Sequence, residues 1–258
     1  MMAFNALSPE APPLGGAAIL RQRWSEVSFV HWRVDPGVVE PYMPPGCSPD
    51  VLDGSSWVGL IGFQMSKSSF LGGPAIPWLG DFPEVNVRLY SIDEHGRRGV
   101  VFRSLEASHL IPVLVARAAF GLRYQWASMK IRQHQGEVEY TTRRHGQRAA
   151  ASTLRVRPGP QSKADTDLAQ DPVASFLTSR WGFHERHLGR TLYCRNSHEP
   201  WPLQPAELTH LEDGLLAAAG FDGLSTRAPD SVLYAPEVTT VFAAPQRAPR
   251  PGPPEPRG

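Results

Sequence analysis

Short segments in which apolar and polar residues alternate recur along most of the chain, and they restrict it to a β-rich fold. The alternation is clear in Val27–Val34 and again in Glu84–Ile92, as expected for strands with two unlike faces. Trp57–Met65 is instead almost continuously apolar, which indicates a strand buried on both sides. Similar patterns predict further strands at Gly99–Glu106, Trp126–Arg132, Glu137–Arg143, Ala149–Arg157, Arg190–Cys194 and Val232–Phe242.

Helical signals are few and short. The pattern predicts helices over Leu110–Phe120, Asp171–Arg180 and Glu212–Ala219. The first and third are followed by glycine, a common residue at helix C-termini, and the second opens with an Asp–Pro pair that suits an N-cap. Many evenly spaced strands with few helices predict a mostly β protein built on a closed or strongly curved antiparallel sheet.

The composition divides the chain into one folded domain with two tails. Residues 1–18 are rich in Pro, Ala and Gly and are predicted to form a disordered arm. Residues 244–258 form a Pro/Arg-rich tail that is also predicted to be disordered. The remaining residues 19–243 are within the size that sandwiches and barrels reach as single domains, so we expect one domain there.

Charge and motif content exclude several classes of function. The 26 basic and 25 acidic residues balance, so nucleic acid and membrane surfaces are not expected partners. Cys47 and Cys194 are far apart and form no CxxC motif, and no P-loop, GxGxxG or GxSxG motif is present. The N-terminus lacks the features of a secretory signal, and the longest apolar stretch is too short to span a bilayer. We therefore expect a soluble cytoplasmic protein.

Seven blocks of sequence between about Trp24 and Phe242 carry a resemblance to a known family. They are WSEVSFVHWRVDP, DGSSWVGLIGF, FPEVNVRLYSID, GVVFRSLEA, ARAAFGLRYQWASM, FLTSRW and HEPWPLQPAEL. In this order they resemble the YqjF-like family of uncharacterised bacterial proteins, placed in the acetoacetate decarboxylase-like superfamily. The resemblance implies a single curved antiparallel β-barrel around a small-molecule cavity.

The resemblance fails at the chemistry of the decarboxylase itself. That enzyme forms an imine with a β-keto acid through one of two consecutive lysines, which follow an aromatic–glycine step. Here Tyr124 and Gln125 stand at those two positions. The chain has only three lysines, Lys67, Lys130 and Lys163, and their surroundings predict solvated surface residues. Residue identity therefore excludes a Schiff-base mechanism.

Polar residues on one side of the Glu84–Ile92 strand have two interpretations. Glu84, Asn86 and Arg88 share a face that is either the solvent side of an antiparallel sheet or the wall of a cavity. The resemblance favours the cavity, since Glu84 matches the acidic residue that faces the decarboxylase cavity. Inside a cavity we expect the carboxylate and the guanidinium to pair. Burial would raise the pKa of Glu84, making it a general acid or base with Tyr124 as proton donor.

Further residues complete the predicted ligand-binding set. Arg117 matches an arginine of the decarboxylase and would either anchor a carboxylate or tie its helix to the domain. Beside Asn86 and Arg88, the candidate ligand contacts are Gln125, His31, His198 and Trp201. The histidines lack metal-binding spacing, so structural hydrogen bonding is preferred, and neither a metal nor another cofactor is predicted.

Three functions remain open after these observations. The first is a barrel that binds a small, partly apolar organic acid or keto compound, with Arg88 or Arg117 as the anion contact. The second is an enzyme of lyase or isomerase type that applies acid–base chemistry at Glu84 and Tyr124 to a keto or enol substrate. The third is a structural protein whose lumen is filled by side chains. A homo-oligomer also stays open.

Overall fold

Strands account for most of the described chain, as the alternating pattern predicts. The computed structural model describes residues 8–75, 80–109, 122–160, 168 and 170–247. Each predicted strand overlaps an observed one, and the observed strands are generally longer. They are β1 Ala18–Val34, β2 Cys47–Pro49, β3 Ser56–Phe70, β4 Phe82–Asp93, β5 Arg98–Ala107, β6 Tyr124–His134, β7 Glu137–Arg144, β8 Ala151–Pro158, β9 Gly182–His187, β10 Arg190–His198, β11 Gln204–Asp213, β12 Ser231–Ala243 and β13 Gln246–Arg247.

Helices within the described residues are short. They are α1 Pro36–Val39, α2 Pro172–Thr178 and α3 Leu215–Ala218, with single 3-10 turns at Glu40–Tyr42 and Leu224–Thr226. The predicted start of α2 is confirmed, because the Asp171 side chain accepts a hydrogen bond of 2.8 Å from the Ala174 amide. None of these helices is long and apolar enough to cross a membrane. The helix predicted over Leu110–Phe120 lies outside the described residues.

Two predictions of local structure are wrong. Glu212 lies in β11 rather than in a helix, because the strand pairs with β8 through Asp213 and the helix starts only after Gly214. The His184–His187 segment, predicted as a loop, is part of β9. Its polar residues obscured the strand pattern, yet His184 is completely buried, so tertiary contacts decide the structure there.

The strand pairings close into two rings that share one wall. The wider ring runs through β4, β3, β1, β12, β11, β8, β7, β6 and β5, and the pairing of β5 with β4 closes it. A narrower ring runs from β5 through β9, β10, β12, β1, β3 and β4. The pairing is antiparallel, as expected, except that β5 pairs in parallel with both β6 and β9. The mostly β architecture with few short helices is confirmed.

The shared wall of β1, β3 and β4 is covered on both faces. Val30, Leu60 and Val87 point into the apolar core of the wider ring. Phe29, Ile61 and Asn86 are cross-strand neighbours that point to the narrower ring. The nearly continuous apolar run in β3 follows from this arrangement, because a strand between two interiors has no solvent side.

The segment before β1 contacts the body of the protein in its described part. Trp181 Nε1 donates a hydrogen bond of 3.1 Å to the Ser8 carbonyl, and Arg195 Nη1 donates one of 3.3 Å to the Pro13 carbonyl. Beyond β12, the short strand β13 pairs with β10 at Leu192 and Tyr193.

Candidate functional site

A cavity of about 350 Å³ lies inside the narrower ring. Its lining comes from β1, β3, β4, β5, β9, β10, β12 and the start of β6, and most of it is apolar and aromatic. Four of the predicted site residues on β4 and β6 line it, namely Glu84, Asn86, Arg88 and Tyr124. A few polar groups converging on an apolar pocket are typical of small-molecule sites.

Glu84 contributes a carboxylate to the cavity wall. It is almost completely buried and accepts two hydrogen bonds, 2.9 Å from the Tyr124 hydroxyl and 3.2 Å from Asn86 Nδ2. Burial raises the pKa of Glu84 to about 7, and the two hydrogen bonds partly oppose that rise. Burial, with the neighbouring carboxylate, also holds the pKa of Tyr124 well above its ordinary value. At neutral pH the pair therefore has a carboxyl group that can gain or lose a proton and a phenol that keeps its own.

Arg88 lies further along the same face of β4 and is oriented by other groups. Its Nε donates to the Tyr90 hydroxyl at 3.1 Å, and its Nη2 donates to the Leu177 carbonyl at 2.8 Å. The expected pairing of Arg88 with Glu84 is wrong, because the guanidinium is held by Tyr90 while Glu84 is satisfied by Tyr124 and Asn86. Among the described residues, no carboxylate forms an ion pair with Arg88.

Asn86 lies between these two groups and is fixed by Glu84. Because its Nδ2 donates to the carboxylate, its Oδ1 is the free end of the amide. That oxygen is buried and has no hydrogen-bond partner among the described residues. A buried acceptor without a partner is energetically costly.

His198 and Trp201 also line the cavity. The His198 ring lies between Trp181 and Trp201, with centroid distances of 4.5 and 4.7 Å. Burial lowers the pKa of His198 to about 4, so the ring is neutral at physiological pH. Its Nδ1 donates to the Glu199 carbonyl at 2.6 Å, which leaves Nε2 as an acceptor.

The remaining predicted contacts are not in the cavity wall. His31 is completely buried behind Arg88, where its Nε2 is 2.6 Å from the Tyr90 hydroxyl. Gln125 follows Tyr124 on β6 and lies beside Glu106 of β5, outside the cavity lining. Arg117 lies outside the described residues.

Arg180 is a cavity residue that the sequence pattern did not reveal. It follows α2, where an arginine would ordinarily be solvated, but it is buried and forms an ion pair with Asp50. Its guanidinium lies 4.2 Å from the Phe176 ring centroid and 4.8 Å from that of Tyr90. Its Nη2 is buried without a hydrogen-bond partner among the described residues. Only the tertiary fold brings Asp50 to this arginine.

Lysines and metal-binding clusters do not contribute to the described site. Lys67 and Lys130 are exposed, and neither lines the cavity. Lys163 lies outside the described residues. Within the described ranges, no three His, Cys, Asp or Glu side chains are arranged to hold a metal ion.

Solved structures of acetoacetate decarboxylase-like proteins share this fold. Acetoacetate decarboxylase from Legionella pneumophila aligns with a TM-score of 0.60 and 14% identity, covering 95% of this chain and 93% of that one. An acetoacetate decarboxylase-like enzyme from Sphingomonas wittichii RW1 gives 0.57 and 17%, with 90% and 94% coverage. The enduracididine biosynthesis enzyme MppR, complexed with pyruvate, gives 0.57 and 15%, with 90% and 91% coverage. At these identities the likeness concerns the fold alone.

Sequence comparison places the chain in a family. It is 32% identical over 192 residues to the uncharacterized protein YqjF of Bacillus subtilis strain 168, an alignment that covers 74% of this chain and 78% of that protein. The family model DUF2071, described as an uncharacterized conserved protein, matches residues 21–239. The chain therefore belongs to the DUF2071 family, is related to YqjF and has an acetoacetate decarboxylase-like fold.

Proposed function

We propose that this protein binds a small organic acid or keto compound in the cavity of the narrower ring, with Arg88 as the contact for its anionic group. The observation that carries the proposal is the uncompensated charge of Arg88. A guanidinium in a mostly apolar cavity, without a carboxylate partner among the described residues, is a favourable site for a ligand carboxylate. Arg180 also lines the cavity, and its guanidinium lies 4.8 Å from the Tyr90 ring centroid, but its charge is paired with Asp50.

The alternative of a structural protein with a filled lumen has less support. The cavity volume of about 350 Å³ lies within the range of about 300–1,000 Å³ that is common for ligand pockets. Buried polar atoms without partners, on Asn86 and Arg180, are costly unless something else satisfies them.

Ligand capture and a matched pair of variants test the binding function. Native mass spectrometry of the purified protein should reveal a co-purifying anion of low mass. In thermal-shift titrations with hexanoate, Arg88→Gln should lose most of the stabilisation. The control Arg132→Gln, at a side chain that is 66% exposed on β6, should keep it. Equal stabilisation of both variants would contradict the assignment of Arg88.

A catalytic function is supported by a second observation, the Glu84–Tyr124 pair. A general base works best when its pKa is close to the working pH, and burial raises the pKa of Glu84 to about 7. In the proposed proton exchange or isomerisation, the ionised Glu84 takes the proton from the carbon next to a ligand carbonyl. The Tyr124 hydroxyl turns from Glu84 to the developing enolate oxygen. Return of the proton to carbon completes an exchange or an isomerisation without a cofactor.

Proton exchange measures this chemistry directly. Proton NMR should show protein-dependent loss of the C7 and C9 proton signals of 8-oxodecanoate, which flank its ketone, in heavy water. The rate should rise as pH passes through about 7, because the base is the ionised form of Glu84. Glu84→Gln should abolish the exchange while ligand binding continues. Exchange at the wild-type rate in this variant would exclude Glu84 as the base.

A further inference from the structure

We propose that the ligand is an elongated, largely apolar monocarboxylate rather than a short keto acid. This inference rests on the proposed function, because it takes Arg88 as the carboxylate contact. It adds the length and polarity of the molecule that the cavity accepts.

The first argument is the separation of the two functional groups along β4. Glu84 and Arg88 are four residues apart on the same face, so their Cα atoms are roughly 13 Å apart in an extended strand. The Arg88 guanidinium is bonded to Tyr90 and to the Leu177 carbonyl, both away from Glu84. A four-carbon keto acid, roughly 5 Å long, cannot contact both groups at once.

The distance between Glu84 and Arg88 sets a lower limit on the length of a ligand that contacts both. A hydrogen bond of about 3 Å to the guanidinium leaves roughly 10 Å of the 13 Å for the ligand itself. An extended carbon chain advances by about 1.25 Å for each bond of about 1.5 Å, so about eight bonds cover this gap. A ligand whose carboxylate meets Arg88 therefore reaches the Glu84–Tyr124 pair with a part of its chain well removed from the carboxylate.

The second argument is the character of the cavity beyond Glu84. Cross-strand pairing puts Phe63 opposite Glu84, and Met65 opposite Phe82 in the next layer. Trp24 lies opposite Met65, and Leu20 lies opposite both Phe70 and Phe242. All of these residues line the cavity, and no charged side chain accompanies them in this part of the described lining. A short polar acid would leave this surface to water, whereas an apolar tail would cover it.

A homologous series of ligands tests the length requirement. Binding of acetate, pyruvate, butanoate, hexanoate, octanoate and decanoate can be followed through the fluorescence of Trp24 and Trp201, which both line the cavity. Affinity should increase about fourfold for each added methylene group until the cavity is filled. The increase from butanoate to octanoate should then be about 250-fold. Equal affinities for pyruvate, butanoate and octanoate would overturn the inference.

Methyl esters of the same acids separate this inference from the proposed function. If Arg88 binds the carboxylate, each acid should bind more tightly than its ester, and Arg88→Gln should remove the difference. Acids and esters of equal affinity would reject Arg88 as the anion contact. A clear preference for acids without any dependence on chain length would keep the proposed function and reject only the elongated ligand.

A variant at the apolar end provides a second measurement. Phe70 lines the cavity but is 47% exposed, so Phe70→Ala should leave the fold intact. It should weaken decanoate binding and leave butanoate binding unchanged. Leu188→Ala is the matched control, because Leu188 is exposed between β9 and β10 and does not line the cavity. An unchanged ratio of decanoate to butanoate affinity in Phe70→Ala would contradict the position of the tail.

Discussion

The Tyr124 hydroxyl donates a hydrogen bond of 2.9 Å to the Glu84 carboxylate across an intervening strand. Tyr124 is on β6 and Glu84 is on β4, with β5 between them, where Leu105 pairs with both Asn86 and Tyr124. The sequence resemblance implies that Tyr124 takes one of the lysine positions of the decarboxylase. A phenol at that position donates a hydrogen bond but cannot form an imine.

Replacement of Glu84 by glutamine should change how stability depends on pH. Burial raises the pKa of Glu84 from 4.5 to about 7, so the folded state binds this proton more tightly than the unfolded state. The contribution of Glu84 to the free energy of unfolding is therefore fully present below about pH 4.5 and is lost as the pH rises through about 7. Relative to Glu84→Gln, the wild type should lose on the order of 3 kcal/mol over this range.

Chemical denaturation of both proteins between pH 4 and 8.5 measures this difference. The buried Glu185, whose pKa is also raised to about 7, contributes equally to both proteins and cancels in the comparison. Parallel stability curves for wild type and variant would show that Glu84 does not titrate in this range.

Removal of the Tyr124 hydroxyl should raise the pKa of Glu84 further. The hydrogen bond from Tyr124 stabilises the ionised carboxylate and so lowers the pKa of Glu84, against the effect of burial. In Tyr124→Phe this opposing effect is lost. Carbon-13 NMR of glutamate-labelled protein can follow the titration. Tyr234→Phe is a suitable control, since the Tyr234 hydroxyl bonds to Glu26 at 2.7 Å and neither residue lines the cavity. A Glu84 titration that is unchanged in Tyr124→Phe would refute the coupling.

The sequence pattern predicts most strands because each has a local signature. In β4 the alternation put Glu84, Asn86 and Arg88 on one face, and all three line the cavity. Which way that face points could not be derived from alternation alone, since a solvent face has the same pattern. Only the family resemblance favoured the interior.

Partners of charged residues were less predictable than strands. The expected Glu84–Arg88 pair did not form, because Tyr124 of β6 and the neighbouring Asn86 satisfy Glu84. Arg88 is held instead by Tyr90, two residues along β4, and by the distant Leu177 carbonyl. Arg180 was missed for the same reason, since its partner Asp50 is 130 residues away in the chain. Local spacing carries no information about contacts between residues so distant in sequence.

Imine chemistry should be absent. Of the three lysines, Lys67 and Lys130 are exposed and outside the cavity lining. The sequence resemblance implies that Tyr124 and Gln125 take the lysine positions of the decarboxylase. Treatment with acetoacetate and borohydride should therefore leave the intact mass unchanged. A stable adduct that peptide mapping assigns to one lysine would overturn the conclusion that a Schiff-base mechanism is excluded. Methylation of the surface amines with formaldehyde and borohydride is the positive control for the reagents.

Truncation of the N-terminus distinguishes a disordered arm from a docked one. The composition of residues 1–18 predicts disorder, and a disordered arm can be removed without a change in stability. The hydrogen bonds from Trp181 to Ser8 and from Arg195 to Pro13 favour the opposite result, because Trp181 is only 8% exposed beneath this segment. From these contacts we expect deletion of residues 1–17 to cost about 1–2 kcal/mol, whereas deletion of residues 1–7 should cost nothing measurable. In a Trp181→Phe background the cost of the longer deletion should shrink, since the donor to Ser8 is already gone. Equal melting temperatures for the full chain and both truncations would show that the arm is disordered in solution.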